Sequence, residues 1–215
     1  MYHRIFAGLV AMASIALAAP ATAPVRQQQP EQKSKTEPPG VPLEARLIAK
    51  KDTYGLDLGG KTAAEFRKLI KSSNVPAPAV DLELEFRNTG DKDFTFLVGG
   101  FAPDIPLLLK LEGPGAVNLS LPAMFVRIPS KPPQKVTLAP GKTHVLPIRG
   151  LMTSRLNRDG TASYWTEPGD YTLIATYKTS VSPAPKGAKD NGQGFGQVTV
   201  TSAPVKLKVV QKDKQ

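Results

Sequence analysis

Residues 80–90 read VDLELEFRNTG, and that run constrains the fold more than any other part of the chain. Val80, Leu82, Leu84 and Phe86 alternate with Asp81, Glu83, Glu85 and Arg87, and Asn88-Thr89-Gly90 then punctuates the segment. Successive side chains of an extended strand point to opposite faces, so strict alternation describes a strand with one buried and one wetted face. A helix would scatter these four apolar residues around its circumference. Two further segments, 136–148 (VTLAPGKTHVLPI) and 167–177 (EPGDYTLIATY), each place Pro-Gly immediately before a strand-like run.

The remaining punctuation extends the pattern. Strand candidates fall at 44–51, 94–98, 107–111, 115–119, 136–138, 143–148, 171–177, 197–201 and 205–210, with 53–60 a short strand or a loop. Gly99-Gly100, Glu112-Gly113-Pro114-Gly115 and the PSKPP of 129–133 separate them. Turns about every ten residues with no intervening helices predict an antiparallel all-β sandwich of about seven to ten strands. One helix is expected, because Thr62-Ala63-Ala64-Glu65 is a capping box in which hydroxyl and carboxylate satisfy orphan amide donors. Ala63, Phe66, Leu69 and Ile70 fall on one side of it and Arg67, Lys68 and Lys71 opposite. It either plugs one end of the sandwich or offers a basic docking face.

The chain starts with a secretory pattern. His3 and Arg4 precede an apolar run over 5–17, and Ala16-Leu17-Ala18 places small residues where a signal peptidase reads. Residues 1–18 are therefore expected to be a cleaved signal peptide; the alternative site Ala21-Thr22-Ala23 has Pro24 after the cut. Residues 19–43 carry six prolines and Gln27-Gln28-Gln29, a composition expected to form a disordered linker. The sandwich is expected over 44–210, with 211–215 a short tail. No stretch of the exported chain is long enough in apolar residues to span a bilayer. The expected location is secreted or periplasmic.

With no cysteine, disulfides, thiol nucleophiles and zinc–thiolate sites are excluded. About 165 residues suffice for one core without cross-links, and a cysteine-free exported domain suits a bacterial envelope. The formal charge is +10, and loss of Arg4 with the leader leaves +9. Such an excess suits an acidic partner, anionic polysaccharide, lipid head groups or nucleic acid. Dispersed basic residues favour a merely soluble, lysine-rich surface, however, and the expected partner is an unknown protein or anionic envelope component. No aromatic-interleaved basic motif marks specific nucleic-acid binding.

Chemistry-bearing constellations are scarce. His144 is the single histidine after the leader, so neither a Ser-His-Asp triad nor a histidine metal site can be assembled. Asp81, Glu83 and Glu85 lie on a polar strand face, where solvation accounts for them. Asn157-Arg158-Asp159-Gly160 resembles a calcium loop, but in that register Arg155 and Thr166 occupy positions that must be acidic. Asn118-Leu119-Ser120 is formally a glycosylation acceptor inside a strand-like run. Trp165, the single tryptophan, is expected to pack on the core, the alternative being a sugar platform with Tyr164. Tyr171, after Pro168-Gly169-Asp170, stands where a tyrosine corner forms. No cofactor and no catalytic activity are expected.

The strongest local anomaly is 178–196 (KTSVSPAPKGAKDNGQGFG), a long Pro-, Gly- and Lys-rich connection between two marked strands. Loops beyond about 12–15 residues are disordered or functional. As a contact surface it would act through Lys178, Pro183, Pro185, Lys186, Lys189 and Phe195, the last an apolar anchor near its base.

The runs LELEFRNTGD (82–91), LAPGK (138–142) and PGDYTL (168–173) resemble those of bacterial immunoglobulin-like domains, among them the BsuPI intracellular proteinase inhibitor type. The chain as a whole also resembles uncharacterised secreted proteins of planctomycete bacteria. The resemblance implies an immunoglobulin-like antiparallel sandwich. The chain departs from the inhibitor type in its leader, its helix and its 178–196 segment, and no inhibitory residue is carried over. Three functional readings follow: a non-catalytic binding or structural module of the cell envelope, a protease inhibitor or protein-binding module acting through 178–196, and a carbohydrate-binding module or hydrolase.

The alternation makes a quantitative demand. Phe86→Ala should lower unfolding stability by about 3–5 kcal/mol, the cost of emptying a fully buried aromatic site. A loss below about 1 kcal/mol in urea denaturation would put Phe86 at the surface.

Overall fold

A computed structural model of the chain describes residues 36–37, 41–99, 107–121, 132–153, 160–188 and 194–212. All of them fall within one compact unit, Gln32–Gln215. The expected signal peptide, most of the expected linker, and Asn157, Arg158, Asp159 and Lys189 lie outside the described residues.

In chain order the elements are β1 (Thr36–Glu37), β2 (Leu43–Ala49), β3 (Thr53–Leu56), α1 (Ala63–Ser72), β4 (Ala79–Asn88) and β5 (Phe94–Val98). They continue with β6 (Leu107–Glu112), β7 (Ala116–Leu121), β8 (Gln134–Leu138) and β9 (Thr143–Gly150). The last are β10 (Gly160–Trp165), β11 (Gly169–Ser182), β12 (Gly196–Thr201) and β13 (Val205–Gln211). The fold is all-β with one short helix, as the punctuation implied. Thirteen described strands exceed the expected seven to ten because the two-residue β1 and β10 carried no strand signal and the 53–60 segment, open between strand and loop, forms β3. The flanking boundaries also move. Val41 and Leu43, counted with the linker, are buried, and Gln211, counted with the tail, ends β13.

The sandwich has two principal layers. The larger sheet runs β1-β12-β11-β13-β3, with β5, β6 and β8 joined on the other side of β11; the smaller is β2-β4-β9, and β10-β7 forms a separate pair. Strand pairings are antiparallel except β3 with β13, which is parallel. β4 realises the alternation: Leu82, Leu84 and Phe86 are fully buried while Arg87 is exposed. β11 answers it from the opposite sheet with Tyr171, Leu173, Ala175, Tyr177 and Val181. Phe86 stands 4.9 Å from Tyr177 and 5.2 Å from Phe96 between ring centroids, an aromatic knot joining the sheets. β9 tolerates Pro147 because it is the edge of its sheet.

Both edges of β11 are paired. One carries β6 and then β5; the other carries β12 against 176–181 and β13 against 169–173. Between the last two the chain inserts one extra residue at 202–204, where Pro204 has no amide to donate. Ser202 mends the ladder: its amide donates to Ala175 O at 2.8 Å, and its buried hydroxyl accepts from Ala175 N at 3.1 Å. The extra residue also changes which positions point inward, from Val198 and Val200 to Val205, Leu207 and Val209.

Asn88, expected only to start a turn, is fully buried at the end of β4. Its Nδ2 donates to Lys92 O at 2.7 Å and Leu138 O at 2.8 Å, and its Oδ1 accepts from Gly90 N at 2.9 Å. Its amide donates to Lys142 O, and its carbonyl accepts from Gly141 N. The side chain thus ties the β4–β5 turn to the end of β8, and the backbone of the same residue ties it to the β8–β9 turn. Asn88→Ala leaves two carbonyls and an amide without partners and should cost about 3 kcal/mol or more. Asn88→Asp, which aims a carboxylate at the same two carbonyls, should cost more still. Urea midpoints with unchanged slope would measure both; an Asp variant as stable as the parent would refute the assignment.

Candidate functional site

The capping box predicted for α1 is present, with Glu65 N donating to Thr62 Oγ1 at 3.3 Å and Thr62 N donating to Glu65 Oε2 at 2.9 Å. The bond from Thr62 N, and then the Thr62 hydroxyl, which donates to Glu65 Oε2 at 2.8 Å, hold the Glu65 carboxyl below its ordinary range. Phe66 and Ile70 bury against Leu121, Ala162 and Tyr164, so the helix closes one end of the fold. Arg67 departs from the expected basic face. Its Nε donates to Thr166 Oγ1 at 2.9 Å, and its guanidinium is also bonded to the Glu167 carboxylate, pinning α1 to the β10–β11 connection.

Beside this helix lies an open cleft of about 630 Å³, bounded by β3, α1, the 75–79 segment and β10. Its deep wall includes Tyr54, Tyr164 and Trp165, each at most 6% exposed. Its sides are aliphatic, with Leu58, Leu69, Val75 and Pro78 half-buried. Its mouth carries three exposed lysines, Lys51, Lys61 and Lys212, against one lining carboxylate, Asp57. Asp57 Oδ1 already accepts from Gly59 N at 2.9 Å. Among the described residues none of the three lysines has a carboxylate within ion-pair distance. Lys51 Nζ lies 5.4 Å from the centroid of the Tyr54 ring, a favourable position for a cation.

Hydrogen bonds fix the aromatic wall. The Tyr54 hydroxyl donates to Lys51 O at 2.7 Å and accepts from Asp81 N at 3.1 Å, while Tyr164 donates to Val75 O at 2.7 Å. Tyr54 stacks on Trp165 with centroids 5.3 Å apart. The Trp165 indole N–H has no acceptor among the described residues, although the side chain is only 5% exposed. A buried donor without a partner is uncommon and costly. Here it belongs to a residue that lines an open cleft.

The residues singled out from sequence distribute as follows. His144 is half-buried on β9 and meets Phe96 edge-on at 5.9 Å, a packing contact. Trp165 packs on the core as expected. The Tyr171 hydroxyl makes the tyrosine corner, sharing its single proton between Glu167 O at 2.7 Å and Pro114 O. Asn118 is engaged within the sheet: its amide group exchanges bonds with Leu111 N and Leu111 O at 3.0 and 2.9 Å.

The 178–196 segment needs correction. β11 continues through Ser182, so Lys178 is a strand residue opposite Thr199, and the connection begins only at Pro183. The alternation of Tyr177, Thr179 and Val181 is strand-like, but the neighbouring Lys, Ser and Pro masked it. Phe195 is 8% exposed, with Lys135 Nζ 5.3 Å from its ring centroid. Pro185 is half-buried beside Gly196, and Ala188 N donates to Pro185 O at 2.9 Å. Of the five described residues of that set, Pro183 and Lys186 are exposed, Lys178 and Pro185 half-buried and Phe195 buried.

No family model matches the chain, and no curated protein matches it. Neither comparison brings out the BsuPI-type or planctomycete resemblance. Among solved structures it is similar to the ASH/PapD-like domain of human CEP192 (PapD-like domain 7), with 11% identity and a TM-score of 0.26. That match covers 90% of this chain and 100% of the other. The fold assignment rests on the sheets and core described above.

Burial pushes the Tyr54, Tyr171 and Tyr177 hydroxyls above the usual tyrosine value, desolvation being the largest cause in each. The neutral form is therefore favoured in the folded state. Its contribution is fully present below about pH 10 and is lost as pH rises through the folded-state values. Stability should stay level toward pH 10 and fall above it, with a smaller fall in Tyr177→Phe. Urea midpoints between about pH 8 and 12 would check this; a decline starting well below the usual tyrosine range would assign it to other groups.

Proposed function

We propose that the chain is an exported, non-catalytic binding module of the bacterial cell envelope and that its ligand site is the cleft beside β3. The observation that carries the reading is the combination in one cleft of three exposed lysines with no carboxylate at ion-pair distance among the described residues, aliphatic sides and a deep aromatic wall. Ligand sites are typically concave, largely apolar and about 300–1,000 Å³, with a few placed polar groups. The lysines select an anionic partner, and the net charge, +10 for the full sequence and +9 without Arg4 of the leader, would favour its approach.

Export is supported by the leader pattern over 1–18. A non-catalytic role is supported by the edge-on packing of His144 against Phe96. A sugar-stacking role finds less support, since the faces of Tyr164 and Trp165 are spent on packing.

The test combines capture with processing. The exported protein, immobilised, should retain an anionic component from envelope extract, and a Lys51→Glu/Lys61→Glu/Lys212→Glu variant with an unchanged melting temperature should not. Retention should weaken with salt, because exposed charges are screened over about 8–10 Å at physiological ionic strength. Equal retention by the variant would move the interface off the cleft. A retained Met1 in N-terminal sequencing of the exported protein would remove cleavage of the leader.

A further inference from the structure

β3 is the outermost strand of the larger sheet, and among the described residues one of its edges, that toward β13, is paired. Its parallel register places Thr53, Tyr54, Gly55 and Leu56 beside Lys208, Val209, Val210 and Gln211. In a parallel ladder alternate residues turn their amide and carbonyl toward the neighbour. The bond from Lys208 N to Asp52 O at 2.7 Å sets the phase, so Asp52, Tyr54 and Leu56 face β13. Thr53 and Gly55 consequently present their N–H and C=O groups on the opposite side. Neither backbone makes a hydrogen bond on that side to any described residue. Both residues are exposed, and Gly55 lines the cleft.

An open edge is a template for another strand unless something blocks it. Residues 53–56 (TYGL) contain no proline, and their register with β13 runs without a bulge, so the strand's shortness and the lysines beside it are what limit pairing at this edge. The nearest heavy atoms to a Cβ built at Gly55 belong to the Lys212 side chain, from 3.8 Å, so Lys212 lies over one face of the strand there. Lys51, Lys61 and Lys212 stand around the same opening. The edge thus supplies sequence-independent hydrogen bonds, the lysines supply a charge preference, and the aliphatic sides receive alternate side chains.

We infer that the cleft binds an extended acidic peptide segment of a protein partner, which adds as a strand to the free edge of β3. This rests on the cleft being the ligand site proposed above and names the class of ligand. The segment pairs with Thr53 and Gly55, sets carboxylates near Lys51, Lys61 and Lys212, and turns every second side chain toward Leu58, Leu69 and Val75. Strand addition of this kind draws affinity from the main chain and specificity from alternate side chains.

The probe is a fluorescein-labelled octapeptide of alternating Glu and Val, read by anisotropy against the exported protein. Its controls are the same peptide N-methylated at alternate amides and a Lys/Val peptide of equal length. The acidic peptide should bind, the basic one should not, and N-methylation should weaken binding about tenfold or more, as expected for loss of two hydrogen bonds. Gly55→Pro, which removes the outward amide from an edge strand, should weaken the acidic peptide similarly while leaving the lysines in place. Should that variant fail to fold, the N-methylated peptide on the parent protein decides alone. Equal binding of methylated and unmethylated peptides, or of acidic and basic ones, overturns strand addition. If envelope capture depends on the three lysines but the peptide does not bind, the peptide class is wrong and the cleft reading stands. If neither engages the cleft, both readings fall.

Discussion

Phe86 of β4 and Tyr177 of β11 meet with ring centroids 4.9 Å apart, and this contact between sheets is the hinge of the structure. It is possible only because β11 keeps one face buried along most of its fourteen residues while both of its edges are hydrogen-bonded. The other strands are arranged to meet those two requirements. β5 and β6 share one edge, β12 and β13 share the other, and the β2-β4-β9 sheet covers the apolar face. The β10-β7 pair and α1 then close an end that the main sheets leave open, with Arg67 fastening the helix to the start of the β10–β11 connection.

How much of this the sequence disclosed depended on whether the signal was local. The alternation at 80–86 was legible because a half-buried strand imprints its period directly on hydropathy. The capping box at Thr62 and Glu65 was legible because both partners lie within one helical turn. The corner at Tyr171 was legible from the Pro-Gly-Asp before it. Asn88 was legible as a turn residue, and it does accept from Gly90 N, but its buried role was not, because that depends on Leu138 O, fifty residues away. β10 was missed because its inward and outward positions are nearly all buried, so Gly160–Trp165 shows no alternation.

The cleft was the least legible part. Lys51, Lys61 and Lys212 come from the β2–β3 connection, the segment before α1 and the residue after β13, and nothing in their spacing relates them. The sequence instead drew attention to 178–196, where an unusual composition stood out. Its strand portion and buried Phe195 show how composition can mark a segment without marking a site. The parallel pairing of β3 with β13 was equally hidden, yet it brings Lys212 to the cleft.

The single extra residue between β12 and β13 has a further consequence. The connection at 202–204 resembles the sort of exposed bend that evolution lengthens and shortens freely, yet its length is fixed by parity. Removing one residue there would turn Val205, Leu207 and Val209 to water and press Lys206 and Lys208 into the core, because strand side chains alternate. A two-residue change would restore the facing but displace the Ser202 hydroxyl from Ala175. Descendants of this chain can therefore be expected to vary in the connection at 183–195 while holding this bend to one length.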